Sequence, residues 1–228
     1  MSKLEQLRLA SADLAQNPAP RLAVCICVDA SYSMRKDSRI KQVNQGIRRF
    51  IQEIEADPYA VDSIELCIIS FGADSARILH SFAPVTKIDF QDIIASGQTP
   101  MGQAVTFALD ELQSRKNAYD NYGITTYKPW LILLSDGESS DDIRHAKKRA
   151  LQLQQENLLK VLCIGLGSES NNLADFHPDG RVIQLKDFAL DHFFAWLSKS
   201  MSMQSKESPN FDIDIPNPDT LANLVRKG

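Results

Sequence analysis

The sequence is poor in cysteine, with four residues in a chain of 228. All four lie inside apolar runs, so we expect buried free thiols rather than a disulfide framework. Their placement in predicted strands also leaves no ligands for a Cys-rich zinc module. These cysteines are Cys25, Cys27, Cys67 and Cys163.

Long apolar runs and concentrated positive charge are also absent. No apolar stretch approaches the length of a membrane span, and the N-terminal stretch MSKLEQLRLASADLAQ is too charged for a signal peptide. The net charge is −4, and Lys and Arg are scattered along the chain instead of forming a stripe. We therefore expect a cytoplasmic protein with no membrane span and no nucleic-acid partner.

Motifs for several common activities are missing as well. The segment GLGSES has two glycines but lacks the third glycine of a dinucleotide-binding turn, so a plain loop is favoured. The four histidines share no metal-ligand or acid–base spacing, which argues against zinc and general-base chemistry. They are His80, His145, His177 and His192.

The length suits one well-packed domain with tails. We predict an N-terminal arm over 1–20, a single domain over 21–203, and an extended or disordered tail over 204–228, where three prolines occur. Helical spacing of three leucines within 3–15 also permits a short surface helix in the arm.

Apolar runs alternate with amphipathic stretches along the predicted domain. Continuous apolar runs predict strands over 24–28, 64–71, 130–134, 159–166 and 181–185, and helical periodicity fills the intervals near 40–54, 101–112, 143–153 and 188–201. The run 76–82 follows its predecessor after only GADS, which is too short for a crossover helix, so it should be antiparallel and at an edge. The prediction is an α/β, doubly wound, Rossmann-like sheet of about six mostly parallel strands, with helices on both faces.

Local signals add further expectations about the loops. Asp37 or Ser38, and later Ser139 or Ser140, are predicted helix caps. Thr99 followed by Pro100 is typical of a capped helix start, which by itself requires no function. The segment 114–128, with a break at Gly123, is predicted to be an exposed insertion.

Oxygen-bearing side chains follow the predicted strands where ligands of open α/β sheets bind. Asp29, Ser31 and Ser33 follow the first strand, Asp136 follows the strand 130–134, and Thr99 precedes a helix. Ordinary turns and caps explain each group alone. Together they form a set of hard oxygen donors, which suits magnesium better than zinc.

This arrangement resembles the von Willebrand factor A (VWA) domain and its metal-ion-dependent adhesion site (MIDAS). The matching segments are DASYS at 29–33, GQTPMG at 97–102 and LLSDGES at 133–139, within a resemblance covering about 20–200. The resemblance implies a Mg²⁺ site, with Mn²⁺ or Ca²⁺ possible, completed by a Glu or Asp of a partner protein. It implies the metal ligands Asp29, Ser31, Ser33, Thr99 and Asp136, and a partner-binding rim of Tyr32, Gln98, Pro100 and Glu138.

Within that family, two segments look most like the TerY-like proteins of bacterial tellurium-resistance and stress operons. They are DPYAVDSIELCIISF at 57–71 and YKPWLILLSDGESSDD at 127–142. This narrower resemblance implies a non-enzymatic protein-binding module that acts beside a protein kinase and a phosphatase.

Two other functions remain open at this stage. A metal-dependent phosphohydrolase would use Asp29 as its nucleophile, although Ser31 stands where the second Asp of such enzymes is found. A scaffold with a vestigial metal site would bind through its tail or through the predicted insertion, where Tyr119, Tyr122 and Tyr127 lie.

Overall fold

A computed structural model describes residues 14, 17, 19–166, 171–185 and 189–209. Most of the predicted arm and of the predicted tail lies outside these residues. Within the described part, no helix is both long enough and apolar enough to cross a membrane.

The described residues contain one six-stranded sheet. It has the spatial order β3-β2-β1-β4-β5-β6, and every neighbouring pair is parallel except β2 with β3. β1 and β2 are buried along their whole length, as expected of continuous apolar runs covered on both faces. This confirms the predicted α/β sheet with one antiparallel edge strand. The strands are β1 (Leu22–Asp29), β2 (Ile64–Gly72), β3 (Ser75–Pro84), β4 (Trp130–Ser135), β5 (Lys160–Gly165) and β6 (Ile183–Gln184).

Helices cover both faces of the sheet. They are α1 (Arg39–Ala56), α2 (Ala60–Ser63), α3 (Met101–Asn121), α4 (Arg144–Gln155) and α5 (Ala189–Lys206). Alternation along β1 sends Val24 and Ile26 into a core layer with α1 and α5, and sends Cys25 and Cys27 into a second layer with α3 and α4. All four thiols are free and buried, as the sequence predicted.

Several helix starts differ from the sequence-based prediction. α3 begins at Met101, so Pro100 precedes the helix and the Thr99 side chain makes no capping bond. α4 begins at Arg144, whose backbone N–H donates to Asp142 Oδ1 at 2.9 Å. Neither Ser139 nor Ser140 caps it, because the Ser139 hydroxyl donates to Asp141 within the loop that follows β4 and the Ser140 hydroxyl accepts the Thr99 backbone N–H.

The predicted exposed insertion over 114–128 is wrong. α3 continues to Asn121, and its last turns bury Arg115 and Tyr119 against Glu65 of β2. The Arg115 guanidinium donates to both Glu65 oxygens, at 2.5 and 2.6 Å, and the Tyr119 hydroxyl donates at 2.5 Å. Tyr127 is buried too, with its hydroxyl donating to the backbone at the end of α5. Of the three tyrosines, only Tyr122 is exposed.

At the other end of the domain, α5 continues to Lys206. It therefore enters the segment for which an extended tail was predicted, and Gln204 is buried there.

Candidate metal site

The candidate site lies where the connections of the sheet diverge. From β1 the chain first builds β2 and β3 on one side, and then returns to place β4 on the other side. β1 and β4 pair in parallel with Val28 opposite Leu134, so Asp29 and Asp136 emerge from neighbouring strand ends. A crevice at such a switch point is the usual ligand site of open α/β sheets.

Asp29 is fully buried at the floor of this crevice. Its Oδ1 accepts the backbone N–H of Ser31 at 2.8 Å, and its Oδ2 accepts the hydroxyl of Ser135. Burial raises the pKa of the Asp29 carboxyl to about 6, and the nearby Asp136 charge adds to this increase, although the hydrogen bonds oppose it. A positive ion in the crevice would favour the charged form.

The two serines connect Asp29 to Asp136. The Ser31 and Ser33 hydroxyl oxygens are 2.9 Å apart, and the Ser33 hydroxyl donates to Asp136 Oδ1 at 2.6 Å. Ser31 and Asp136 are nearly buried, whereas Ser33 is exposed at the mouth. Four of the five predicted ligands therefore form one cluster.

Thr99 lies on a third loop that is tied to the other two. The Tyr32 backbone N–H donates to the Gly97 carbonyl at 3.0 Å, and the Thr99 backbone exchanges bonds with Ser140 at 3.1 and 2.9 Å. Gly97 has φ +69° and lies against Ala73, so a side chain there would be strained and obstructed. Among the described residues, the Thr99 side chain makes no hydrogen bond to the other four ligands.

Arg39 is a site residue that the sequence analysis missed. Its Nη1 donates to Asp136 Oδ2 at 2.6 Å, and its Nη2 lies 3.6 Å from Asp37 Oδ2. Ion pairs across almost a hundred residues leave no local pattern in a sequence. One signal was present, because an Arg at the first position of α1 is unfavourable to the helix dipole and so points to another role.

The predicted rim is only partly at the surface. Tyr32, Gln98 and Glu138 are exposed, whereas Pro100 is buried beneath the loop and presents no surface to a partner. The Arg35 guanidinium lies 4.8 Å from the centre of the Tyr32 ring, and its Nε donates to Ala95 at 2.8 Å. This holds an exposed aromatic ring beside the mouth of the site.

The donor set fits a hard divalent cation. Two carboxylates and three hydroxyls supply only oxygen, which magnesium, manganese and calcium prefer. Nowhere in the described part of the chain do three His, Cys, Asp or Glu side chains converge as a metal cluster. The charge at this site is therefore lower than in a carboxylate-rich centre.

The chain matches a known protein family over most of its length. A family model for the von Willebrand factor type A domain matches residues 23–195. The chain belongs to this family. VWA domains typically act as modules for protein interaction, many of them through a MIDAS. A search of curated proteins gives no match.

Solved structures share the VWA fold at low sequence identity. The ArnB paralog VWA2 from Sulfolobus acidocaldarius has a TM-score of 0.54 and 19% identity, over 82% of this chain and 46% of that one. Proximal thread matrix protein 1 from the mussel byssus, described with a zinc-occupied MIDAS motif, has a TM-score of 0.54 and 18% identity, over 83% and 46%. This chain thus spans about half the length of those two chains.

A third structure matches over nearly its whole length. The vWF domain of the type V pili tip protein Mfa5 from Porphyromonas gingivalis has a TM-score of 0.60 and 11% identity, over 86% of this chain and 99% of that one. The structural similarity to these three proteins shows a shared fold, and at such low sequence identity it shows the fold alone.

Proposed function

We propose that this VWA domain is a non-enzymatic module that binds a divalent cation and, through it, an acidic residue of a partner protein. The five predicted oxygen ligands would hold the cation, with Mg²⁺ as the first candidate and Mn²⁺ or Ca²⁺ as alternatives. The supporting observation is the hydrogen-bonded cluster of Asp29, Ser31, Ser33 and Asp136 at the switch point of the sheet.

The chemistry of the ligands explains why an anionic partner would be recruited. Neutral hydroxyls donate oxygen without cancelling charge, so a bound cation keeps much of its attraction for an anion. Ser33 is exposed at the mouth, which leaves a side of the cluster open to a partner carboxylate. Tyr32 adds an aromatic surface of the kind enriched at protein interfaces.

Burial of Asp29 argues against the phosphohydrolase alternative. A nucleophilic carboxylate must reach its substrate, but both Asp29 oxygens accept protein hydrogen bonds on the floor of the crevice. Ser31 also stands where the second carboxylate of such an enzyme is expected. A binding role makes use of the same buried charge without requiring access to it.

The resemblance to TerY-like proteins supports a finer proposal. On this proposal, the protein acts in the cytoplasm beside a protein kinase and a phosphatase of a stress or tellurium-resistance operon. Pull-down of those two proteins, with Mg²⁺ or with EDTA in the buffer, tests it. Capture lost in EDTA supports recognition through the cation, while capture that persists assigns binding to other surfaces.

Calorimetric titration with Mg²⁺ and then Mn²⁺ tests the site itself. Chelator-stripped wild type is expected to bind saturably, and the Ser31→Ala, Ser33→Ala double variant is expected to lose binding. A Ser81→Ala, Ser205→Ala double variant is the matched control, because it removes two hydroxyls outside the cluster. Equal binding by all three proteins would contradict the proposed ligands.

A further inference from the structure

Both carboxylate oxygens of Asp136 have partners within the protein. Oδ1 accepts the Ser33 hydroxyl and Oδ2 accepts the Arg39 guanidinium, each at 2.6 Å. The Asp136 side chain has no solvent exposure and that of Arg39 only 19%. A charge-assisted bond in such surroundings is much less screened than a surface ion pair.

The ion pair between Arg39 and Asp136 compensates negative charge that is buried at the site. Asp29 and Asp136 are both buried and are linked through the hydrogen bonds of Ser31 and Ser33. Two buried carboxylates need compensating positive charge, and Arg39 supplies one unit of it. The guanidinium therefore performs, in part, the electrostatic role that a bound cation would have.

The same contact puts Arg39 in conflict with a divalent cation. A hydrated Mg²⁺ or Mn²⁺ near Asp136 would be repelled by the guanidinium and would compete with it for the negative charge of the Asp136 carboxylate. Arg39 does not stabilise α1 from its position in the first turn, because a positive charge there interacts unfavourably with the helix dipole. Its contact with Asp136 accounts for its placement.

We propose that Arg39 is an internal competitor that holds Asp136 when the site lacks a cation and is displaced when a cation binds. This inference rests on the proposed cation site and adds a residue that sets its affinity. Displacement would also leave the guanidinium at the rim beside Asp37, where a partner carboxylate could accept from it while also contacting the cation. Weak binding of the cation alone would then become tight in the presence of a partner.

Titration of Arg39→Met with Mn²⁺ tests the competition. Methionine has an apolar side chain of similar length to that of arginine but carries no charge. The Mn²⁺ affinity of the variant is therefore expected to exceed that of wild type about tenfold or more. Arg39→Lys retains the charge and should remain near wild type. Arg48→Met is the matched control, because Arg48 lies on the same helix but pairs with the exposed Asp92.

Thermal unfolding supplies a second readout that needs no partner. In EDTA, Arg39→Met should melt below wild type and below Arg48→Met, because Asp136 has lost its counter-charge. Saturating Mn²⁺ should raise the melting temperature of Arg39→Met more than that of wild type, as a tighter ligand stabilises more.

The outcomes separate this inference from the function on which it rests. Equal or weaker Mn²⁺ binding by Arg39→Met, with wild type still binding, overturns the competition and leaves the cation site standing. No saturable binding by wild type or by any variant overturns both. If Arg39→Met and Arg48→Met both bind Mn²⁺ more tightly than wild type by the same factor, the loss of one positive charge explains the gain. That result would also overturn the competition.

Discussion

Asp57 connects three helices through one carboxylate. Its Oδ1 accepts the backbone N–H groups of Tyr59 and Ala60 at 2.9 and 3.0 Å, where α1 ends and α2 begins. Its Oδ2 accepts the Ser202 hydroxyl and, at 2.9 Å, the Lys206 ammonium, both from α5. Burial opposes ionisation, but these bonds outweigh it and lower the pKa of the Asp57 carboxyl.

We expect Asp57→Asn to cost about 2 kcal/mol of unfolding free energy at pH 7. Because the folded-state pKa of Asp57 is below its unfolded value of about 3.9, the ionised carboxylate stabilises the fold above that pH. The stabilisation should begin to shrink as the pH falls below about 4, and it is lost fully only when the pH falls through the lower folded-state pKa, so the difference between the wild type and the variant narrows at acid pH. Urea unfolding at pH 7 and pH 3 measures both differences.

Asp120→Asn is the control for this experiment. It removes an exposed carboxylate that pairs with Lys116 along α3, and such pairs contribute little. A difference between Asp57→Asn and wild type that stays constant with pH would contradict the role given to ionised Asp57.

At the scale of residues, sequence reasoning brought four of the candidate ligands together but missed their charged neighbours. Asp29, Ser31, Ser33 and Asp136 were predictable because strand ends and spacing place them at one edge. Arg39 and the buried Glu65–Arg115 pair were not, since each bond joins positions 50 or more apart that look like ordinary charged helix or strand residues. Such pairs can be recognised only when the packing of the helices on the sheet is known.

The helices α1 and α5 pack closely at Gly46. Gly46 faces the ring of Phe194, and a Cβ built on Gly46 would lie 2.1 Å from Phe194 Cδ2. Phe194 is itself fully buried and packs edge-on against Phe193 at a centroid distance of 5.3 Å. A glycine in mid-helix is intrinsically unfavourable, so its presence here reflects the space that the ring needs.

Gly46→Ala should therefore destabilise the domain by about 1–3 kcal/mol, although alanine is the better helix former. The added methyl group has to push the Phe194 ring out of its packed position. Gln45→Ala, at the exposed neighbouring position, is the control and should be neutral or slightly stabilising. Chemical denaturation compares the three proteins, and a stabilised Gly46→Ala would show that the ring moves freely.

Periodicity predicted the four longer helices, but it missed the short helix α2 and did not locate the helix ends. The apolar positions of α1, α3 and α4 repeat at helical spacing, which indicates a buried face without knowledge of the fold. The end of α3 was missed because Arg115 and Tyr119 look solvent-exposed until Glu65 is placed beneath them. The start of α4 was missed because Ser139 bonds to Asp141 within the loop.

At the scale of the whole molecule, strand direction followed from short and long connections. The tight turn between β2 and β3 requires antiparallel pairing, and helix-containing connections require parallel pairing. The order of the strands, with β4 next to β1, was not predicted, because the sequence alone allows several orders. That neighbourhood brings Asp136 to Asp29.

The four thiols are distributed across the centre of this sheet. Cys25 and Cys27 lie in β1, Cys67 pairs with Cys25 from β2, and Cys163 is in β5. Burial raises the pKa of Cys25 well above its usual value and that of Cys163 to about 12. Reaction with a disulfide reagent requires both access and a thiolate, and the folded protein provides neither.

The rate at which these thiols react can therefore report how often the folded molecule opens. In native buffer, a disulfide reagent should label all four at one slow rate, which rises with urea as global opening becomes easier. A cation that binds only the folded form should slow Cys163 as much as Cys25, although Cys163 is two strands away from β1. Rapid labelling of one thiol alone would instead reveal a local opening, and mass spectrometry of the labelled peptides would identify the strand that moves.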